Sequence, residues 1–521
     1  MRGLRFGALL FLATSLVACA PPTKEVQRLP VARSFCLEHG FSRLGMGKVE
    51  SPAPTPTAAH RVYAKARFVW IRKRPTPESE WIGYITLGQS LGLRQNVEPP
   101  AAGALTTSEG TLGIVGPGSV CQFWVPVEPS GWVCTGRDAT LNAADPVVVE
   151  LEQTAPDVNS PWPFDYARSL ETPRYRSLPT MREQKATEGN VEALRTRIDS
   201  ARAAKTREEI AAIDKRLTDA SLDVATEPAP DLFLPPYTIL ESDAPLKLGS
   251  TIAFTKTFSH DQRSWLLSWD RAVIPMVRTR LYPRSSFHGV RLEDGLRLPL
   301  AFSKKQEAKH YARDSQGSFI AQELAFEPQA LIQLADGAPG KEYLETTQPG
   351  VWVRRADVVV VEPKAELPKR LPSSGRRTWV EVSTVGGWLV AFEGDKPVYA
   401  TMISAGRGET LTDGTMRDSS STPVGTYSIA SKFRTATMRS ERRPDIVHAE
   451  VMYTQVFFED YALHGSPWHD EWGDRKSAGC VNLAPMDAKW VFDWSEPELP
   501  PDWHAKRSLA GDPTTVVVIH N

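Results

Sequence analysis

Tyr461-Ala462-Leu463-His464-Gly465-Ser466 and Ser477-Ala478-Gly479-Cys480-Val481-Asn482 are the two stretches on which the reading of this chain turns. Cys480 sits in a Gly-flanked, Ser-containing turn. Such a turn exposes backbone N–H groups and lets a substrate approach closely, unlike the apolar setting of a structural thiol. A nucleophilic thiol needs a base, and His464, sixteen positions upstream at the end of an apolar run, is the candidate. A satisfied core histidine beside a buried cysteine gives the same pair of residues, so the pair alone leaves both readings open. His464, His469, Asp470, Asp474 and Cys480 are also dense in possible metal ligands. Their spacing lacks the short paired Cys or His intervals of a zinc site, so no metal is expected.

Outward from these stretches the texture is β. After Pro368, Pro372 and Gly375 come the runs Trp379-Val380-Glu381-Val382, Trp388-Leu389-Val390-Ala391-Phe392 and Pro397-Val398-Tyr399-Ala400. Gly386-Gly387 and Gly394-Asp395 supply turns between them, which predicts a meander. Thr422-Pro423-Val424-Gly425-Thr426-Tyr427 and a strand run from Val451 to Phe458 follow.

In this order the three motifs resemble the catalytic domain of the L,D-transpeptidases (YkuD type), over roughly residues 377 to 521. They are Thr-Pro-x-Gly-x-Tyr (Thr422 to Tyr427), His-Gly-Ser (His464 to Ser466) and Ser-x-Gly-Cys-Val-Asn (Ser477 to Asn482), with Met452-Tyr453 ahead of the histidine. One position departs: where the family usually has His between the Ser and Gly of the cysteine motif, this chain has Ala478.

The resemblance implies a mostly β domain with Cys480 as nucleophile in a cleft and His464 as general base and then acid. Gly465 would hold the imidazole tautomer through its carbonyl, and the Gly479 and Cys480 N–H groups would form an oxyanion hole. It further implies that Ser477 orders the turn, that Tyr453 lines the substrate cleft, and that Asn482 steadies the loop or touches the donor stem. An enzyme of this kind is expected to depress its thiol pKa.

No cofactor is required, and the implied partners are peptidoglycan stem peptides. Cys480 would attack the third residue of a tetrapeptide stem and release the terminal D-alanine. The acceptor is another stem (a 3→3 cross-link), a protein lysine, a D-amino acid or water. Two alternatives stand beside this reading: an L,D-carboxypeptidase, and a non-catalytic wall-binding scaffold favoured by Ala478.

The rest of the chain places this chemistry. At about 150 residues per domain, 521 residues imply three or four domains. Lys+Arg 61 against Asp+Glu 62 leaves no basic footprint for nucleic acid. Arg2 and Arg5 precede the apolar run Phe6 to Val17, and Leu16-Val17-Ala18-Cys19 resembles a lipobox. Residues 1–19 therefore read as a lipoprotein signal peptide with Cys19 lipidated, giving a membrane partner through the lipid anchor. By the same resemblance Ala20 favours the outer membrane, facing the periplasm.

Residues 20–59 read as a Pro-rich tether. Residues 60–150 resemble an SH3-like domain on Arg67 to Arg72, Trp81 to Ile85 and Gly131-Trp132-Val133, and 231–365 are expected to hold further SH3-like modules. Residues 151–230 read as a helical linker, with capping boxes at Thr180/Glu183 and Thr206/Glu209. The catalytic domain is placed at 372–521. The fold class is mainly β: SH3-like barrels plus a transpeptidase-type β domain, with a helical spacer. In an exported protein Cys36, Cys121 and Cys134 are expected to include a disulfide, Cys121–Cys134 being the preferred pair. The sequence sets no oligomeric state.

Overall fold

The computed structural model describes residues 59–97, 105–107, 110–112, 121–204, 206–213, 227–230, 244–293, 295–336, 340–371, 373, 375–411, 416, 418, 420–439 and 443–521. Cys19, Cys36, the signal peptide and all of the tether but its last residue lie outside them. The described chain is mainly β.

The C-terminal region is organised around a six-stranded sheet. Its order is Val290–Arg291, Lys396–Met402, Trp388–Glu393, Thr378–Ser383, Val516–His520, Gly425–Ser428. The central strands read as nearly unbroken apolar runs because both faces are covered. Trp379, Trp388, Val390 and Phe392 pack against Leu300, Phe302, Val359 and Val361 of the middle region. Val380, Val382, Leu389 and Ala391 pack the other way, against Leu463, Val481, Leu483 and Phe492.

That second packing brings in the strands that carry the site. The long strand Val447–Phe458 pairs antiparallel with Ser431–Arg439 on one side and with Tyr461–Gly465 on the other. Tyr461–Gly465 in turn pairs parallel with Val481–Leu483. The helix Pro485–Trp494 covers them, with Pro485 in its first turn where a missing N–H costs nothing. Its C-terminal carbonyls are met by a buried amine, which burial pushes down to about 7: Lys432 Nζ donates to Phe492 O at 2.5 Å and to Ser495 O at 2.7 Å.

The appended segments are stitched to this sheet; they do not hang from it. The described residues from 59 to 521 belong to one compact unit. Ser431–Arg439 pairs with Ala505–Arg507, which pairs with Trp81–Ile85 of the N-terminal region, and Thr251 of the middle region pairs with His448. Trp503 is fully buried in the N-terminal core beside Ile71, Ile82 and Val125, and its indole N–H donates to Glu128 O at 2.7 Å. Gly83 permits this: a Cβ there would lie 2.4 Å from the Trp503 ring.

The helical-linker expectation for 151–230 needs correction. Met181–Glu188, Val191–Ala203 and Arg207–Ile213 are helices, and the Thr180–Glu183 capping box is formed. Asp165–Ser169, however, is a strand paired with Thr251–His260 and Thr279–Leu281. The helices are also anchored: Leu194, Ile198 and Ala201 pack on Val277, and the buried Arg263 is held bidentate by Glu188. Cys121 and Cys134 are disulfide-bonded on adjacent strands, with Cα atoms 5.5 Å apart.

Candidate active site

The parallel pairing of Tyr461–Gly465 with Val481–Leu483 sets His464 opposite Asn482. Cys480 stands immediately before the second of these strands, at the end of the turn that leads into it. Leu463, Val481 and Leu483 take the face away from His464 and Asn482, in the core.

His464 is buried, and burial pushes its imidazole down to about 4. Its Nδ1 lies 3.1 Å from the Gly465 carbonyl, which only accepts, so Nδ1 carries the proton and Nε2 has the free lone pair. Gly465 has no room for a side chain: a Cβ would fall 2.4 Å from Met452 Cγ and 3.1 Å from Ala488. The Trp468 ring lies between two imidazoles, 5.8 Å from that of His464 and 4.9 Å from that of His448.

The cysteine turn is held from inside. Ser477 Oγ accepts from the Gly479 N–H at 3.0 Å and donates to the Cys480 carbonyl at 2.5 Å. Gly479 sits at φ 133°, a conformation that excludes a side chain. Thr422 clasps the turn to the neighbouring segment: its buried hydroxyl accepts from Gly406 N–H at 2.7 Å and donates to the Gly479 carbonyl at 2.8 Å. On the far side Asn482 exchanges both backbone bonds with Ser404, each 2.9 Å, and its side-chain amide meets His469 Nε2 at 3.1 Å.

Cys480 is partly exposed as a residue, but the packing around its sulfur pushes the thiol up to about 11. The Ala462 N–H facing the sulfur works against this shift, and Asp460 adds to it. Sγ lies 3.8 Å from the Asp460 carbonyl. Among the described residues no hydrogen bond joins it to His464.

Three expectations are thereby corrected. The thiol is raised, where an activated nucleophile was expected to be depressed, because desolvation outweighs the Ala462 N–H. The Gly479 N–H is already taken by Ser477 Oγ. Tyr453 does not line a cleft: it is fully buried against Phe492, at φ 51°, with its hydroxyl donating to the Ser160 carbonyl. Apart from Tyr453, and Cys19, which lies outside the described residues, the structure brings the sequence-predicted residues to one turn and one strand pair. Ala478 is exposed. Sequence reasoning finds Thr422 only as the first residue of the Thr-Pro-x-Gly-x-Tyr run and assigns its hydroxyl no role. Among the described residues no cluster of three or more His, Cys, Asp or Glu is arranged to hold a metal.

Residues 377–519 match the family described as L,D-transpeptidase catalytic domain (YkuD). No curated protein matches the chain. Similar solved structures include a cysteine-to-serine mutant of an L,D-transpeptidase from Enterococcus faecium, at 21% identity over 27% of this chain and 49% of that one, TM-score 0.21. An L,D-transpeptidase from Stackebrandtia nassauensis aligns at 20% over 30% and 59%, TM-score 0.20. One from Xylanimonas cellulosilytica aligns at 23% over 31% and 71%, TM-score 0.21. The chain thus spans about half the length of the first of these. The family match takes in five of the six strands of that sheet, all but Val290–Arg291, together with the long strand, both motif strands and the covering helix, so that it is residues 377–519 of this chain that match the L,D-transpeptidase catalytic domain.

Proposed function

We propose that the protein is an exported, lipid-anchored L,D-transpeptidase that works on peptidoglycan stem peptides through a Cys480 acyl-enzyme. The observation that supports the reading is the parallel pairing of the His464 strand with the strand that begins directly after Cys480, with His464 Nε2 left unprotonated. At rest both groups are neutral, the thiol raised and the imidazole lowered. The proton therefore moves during attack and not before it.

The Cys480 side chain turns from the Asp460 carbonyl toward His464 as substrate enters; catalytic hydrogen bonds commonly tighten only in the complex. His464 Nε2 takes the thiol proton, Sγ bonds to the carbonyl carbon of the third stem residue, and charge develops on its oxygen. Collapse breaks the peptide bond, and His464 returns the proton to the leaving D-alanine amine. An amine acceptor then attacks the thioester, its proton passing to His464 and on to the departing thiolate.

Lipidation at Cys19 and the outer membrane would set the reach of the domain, and the SH3-like reading of 60–150 and 231–365 would supply contact with the wall. The scaffold alternative draws on Ala478, the raised thiol and the missing thiol–imidazole bond. One experiment separates these readings: chain lacking residues 1–19 is incubated with purified tetrapeptide muropeptides, beside Cys480→Ala, and products are read by mass spectrometry. Cross-linked dimers with loss of D-alanine, absent in the variant, are expected. Tripeptide monomers alone would make it a hydrolase, and unchanged substrate a scaffold.

A further inference from the structure

We infer that Thr422 is a positioning residue for the reaction: it aims the Cys480 backbone N–H at the oxyanion. This rests on the transpeptidase reading above.

Most polar backbone groups on the Ser477–Cys480 turn already have partners. Ser477 N–H donates to Ala405 O at 3.1 Å, and Ser477 O accepts from Arg407 N–H at 3.0 Å. Gly479 N–H is held by Ser477 Oγ, and the Cys480 carbonyl accepts from the same hydroxyl. Gly479 O accepts from Thr422 Oγ1. Among the described residues nothing accepts from the Ala478 N–H or the Cys480 N–H, and of these two the Cys480 N–H is the donor adjacent to the nucleophile.

Its direction follows from the geometry of one peptide unit. The Gly479 carbonyl and the Cys480 N–H belong to the same planar trans peptide, so they point in opposite directions. Fixing the oxygen on Thr422, toward the Gly406 segment, aims the N–H away from that segment. Gly479 at φ 133° has no side chain to hold this plane by itself, and a glycine backbone is the most readily rotated in the turn. The Thr422 hydroxyl also accepts from the Gly406 N–H, so it is committed on both sides and buried, which leaves it one orientation. Preorganised donors of this kind act because they need no reorientation as charge develops.

The test uses Thr422→Val, Thr422→Ala and Thr422→Ser in the chain lacking residues 1–19, with Cys480→Ala as control. Stem-peptide turnover, iodoacetamide alkylation of Cys480 and thermal midpoint are measured on each. Alkylation displaces iodide and forms no oxyanion, so it reports the thiol alone. Thr422→Val and Thr422→Ala are expected to lower kcat about 100-fold, the loss typical of one oxyanion donor. KM and the alkylation rate should stay within about threefold of wild type by the same reasoning, and Thr422→Ser should recover kcat to that margin. Equal losses of kcat and alkylation would reduce Thr422 to a fold contact. So would loss in Thr422→Ser together with a fallen thermal midpoint. If Val fails to fold, the Ala and Ser pair decides alone. An inactive wild type overturns the transpeptidase reading and this inference with it; an active wild type with active Thr422→Ala overturns only the inference.

Discussion

Iodoacetamide should alkylate Cys480 slowly, with a rate that keeps rising through pH 10. The thiol is pushed up to about 11 by burial. At pH 7.5 an unperturbed thiol near 8.5 is about 9% thiolate, and one near 11 about 0.03%, a loss of about 300-fold in reactive form. A thiolate of higher pKa is intrinsically more nucleophilic; a Brønsted coefficient of about 0.45 over about 2.5 units returns roughly tenfold. Net alkylation at pH 7.5 is therefore expected about 30-fold below that of a small free thiol. Because Cys121 and Cys134 are paired, only Cys36 competes in chain lacking residues 1–19, and a Cys36→Ser background removes it. The assay is the pseudo-first-order loss of free thiol between pH 6 and 10.5. Its logarithm should climb with unit slope and no plateau across that range. A plateau setting in below pH 8 would mean a thiolate stabilised at rest, by His464 or by backbone donors. It would refute the picture of a neutral pair activated only by substrate.

Acid should destabilise the fold earlier than carboxylate titration alone would. His448, His464 and His469 are each lowered to about 4 by burial and His504 to about 3, so the unfolded chain protonates them first. Stability is full above the unfolded value near 6.5 and is lost as pH falls toward about 4; an unchanged urea midpoint between pH 7.5 and 4.5 would contradict this. Gly83→Ala sets a Cβ 2.4 Å from the Trp503 ring and 2.5 Å from the Ala505 carbonyl, where the N-terminal and catalytic strands meet. It should cost about 1–3 kcal/mol in denaturant unfolding, and an unaltered midpoint would mean that the junction yields freely. Lys432→Met strips the donors from two buried carbonyls at the end of the covering helix, Phe492 O and Ser495 O. A loss of about 1–3 kcal/mol is expected, with a rise in stability marking the buried ammonium as the costlier state. Residues 372–521 expressed alone should be less soluble than the full chain, because Trp503 and Tyr453 lose the partners that bury them; a monodisperse, cooperatively folding fragment would refute that dependence.

Much of the site was legible because its chemistry is local in sequence. A Gly-flanked cysteine, a histidine ending an apolar strand and the Thr-Pro-x-Gly-x-Tyr run are contiguous signals, and turns at Gly387 and Gly394 follow from their left-handed backbone. The Cys121–Cys134 pair was legible because a short hairpin brings both strands together. Tyr453 was misplaced because nothing in its neighbours reveals a partner nearly three hundred residues away, the Ser160 carbonyl. Asp165–Ser169 was passed over for a similar reason: five residues of mixed polarity become a strand only when Thr251–His260 offers an edge.

The sequence by itself determined the β texture and the motifs that match the L,D-transpeptidase catalytic domain, and it named Cys480 and His464 as candidates for nucleophile and base. Tertiary structure alone decided that strands of the preceding regions, Trp81–Ile85 and Thr251–His260 among them, join one sheet with the long strand Val447–Phe458. It likewise decided that burial leaves the thiol and the imidazole neutral and that Thr422 holds the Gly479 peptide. The physical reason is the same in each case. Periodicity and turn chemistry act over a few residues, whereas strand partners, desolvation and the aim of a backbone N–H depend on groups that only the folded chain brings within reach.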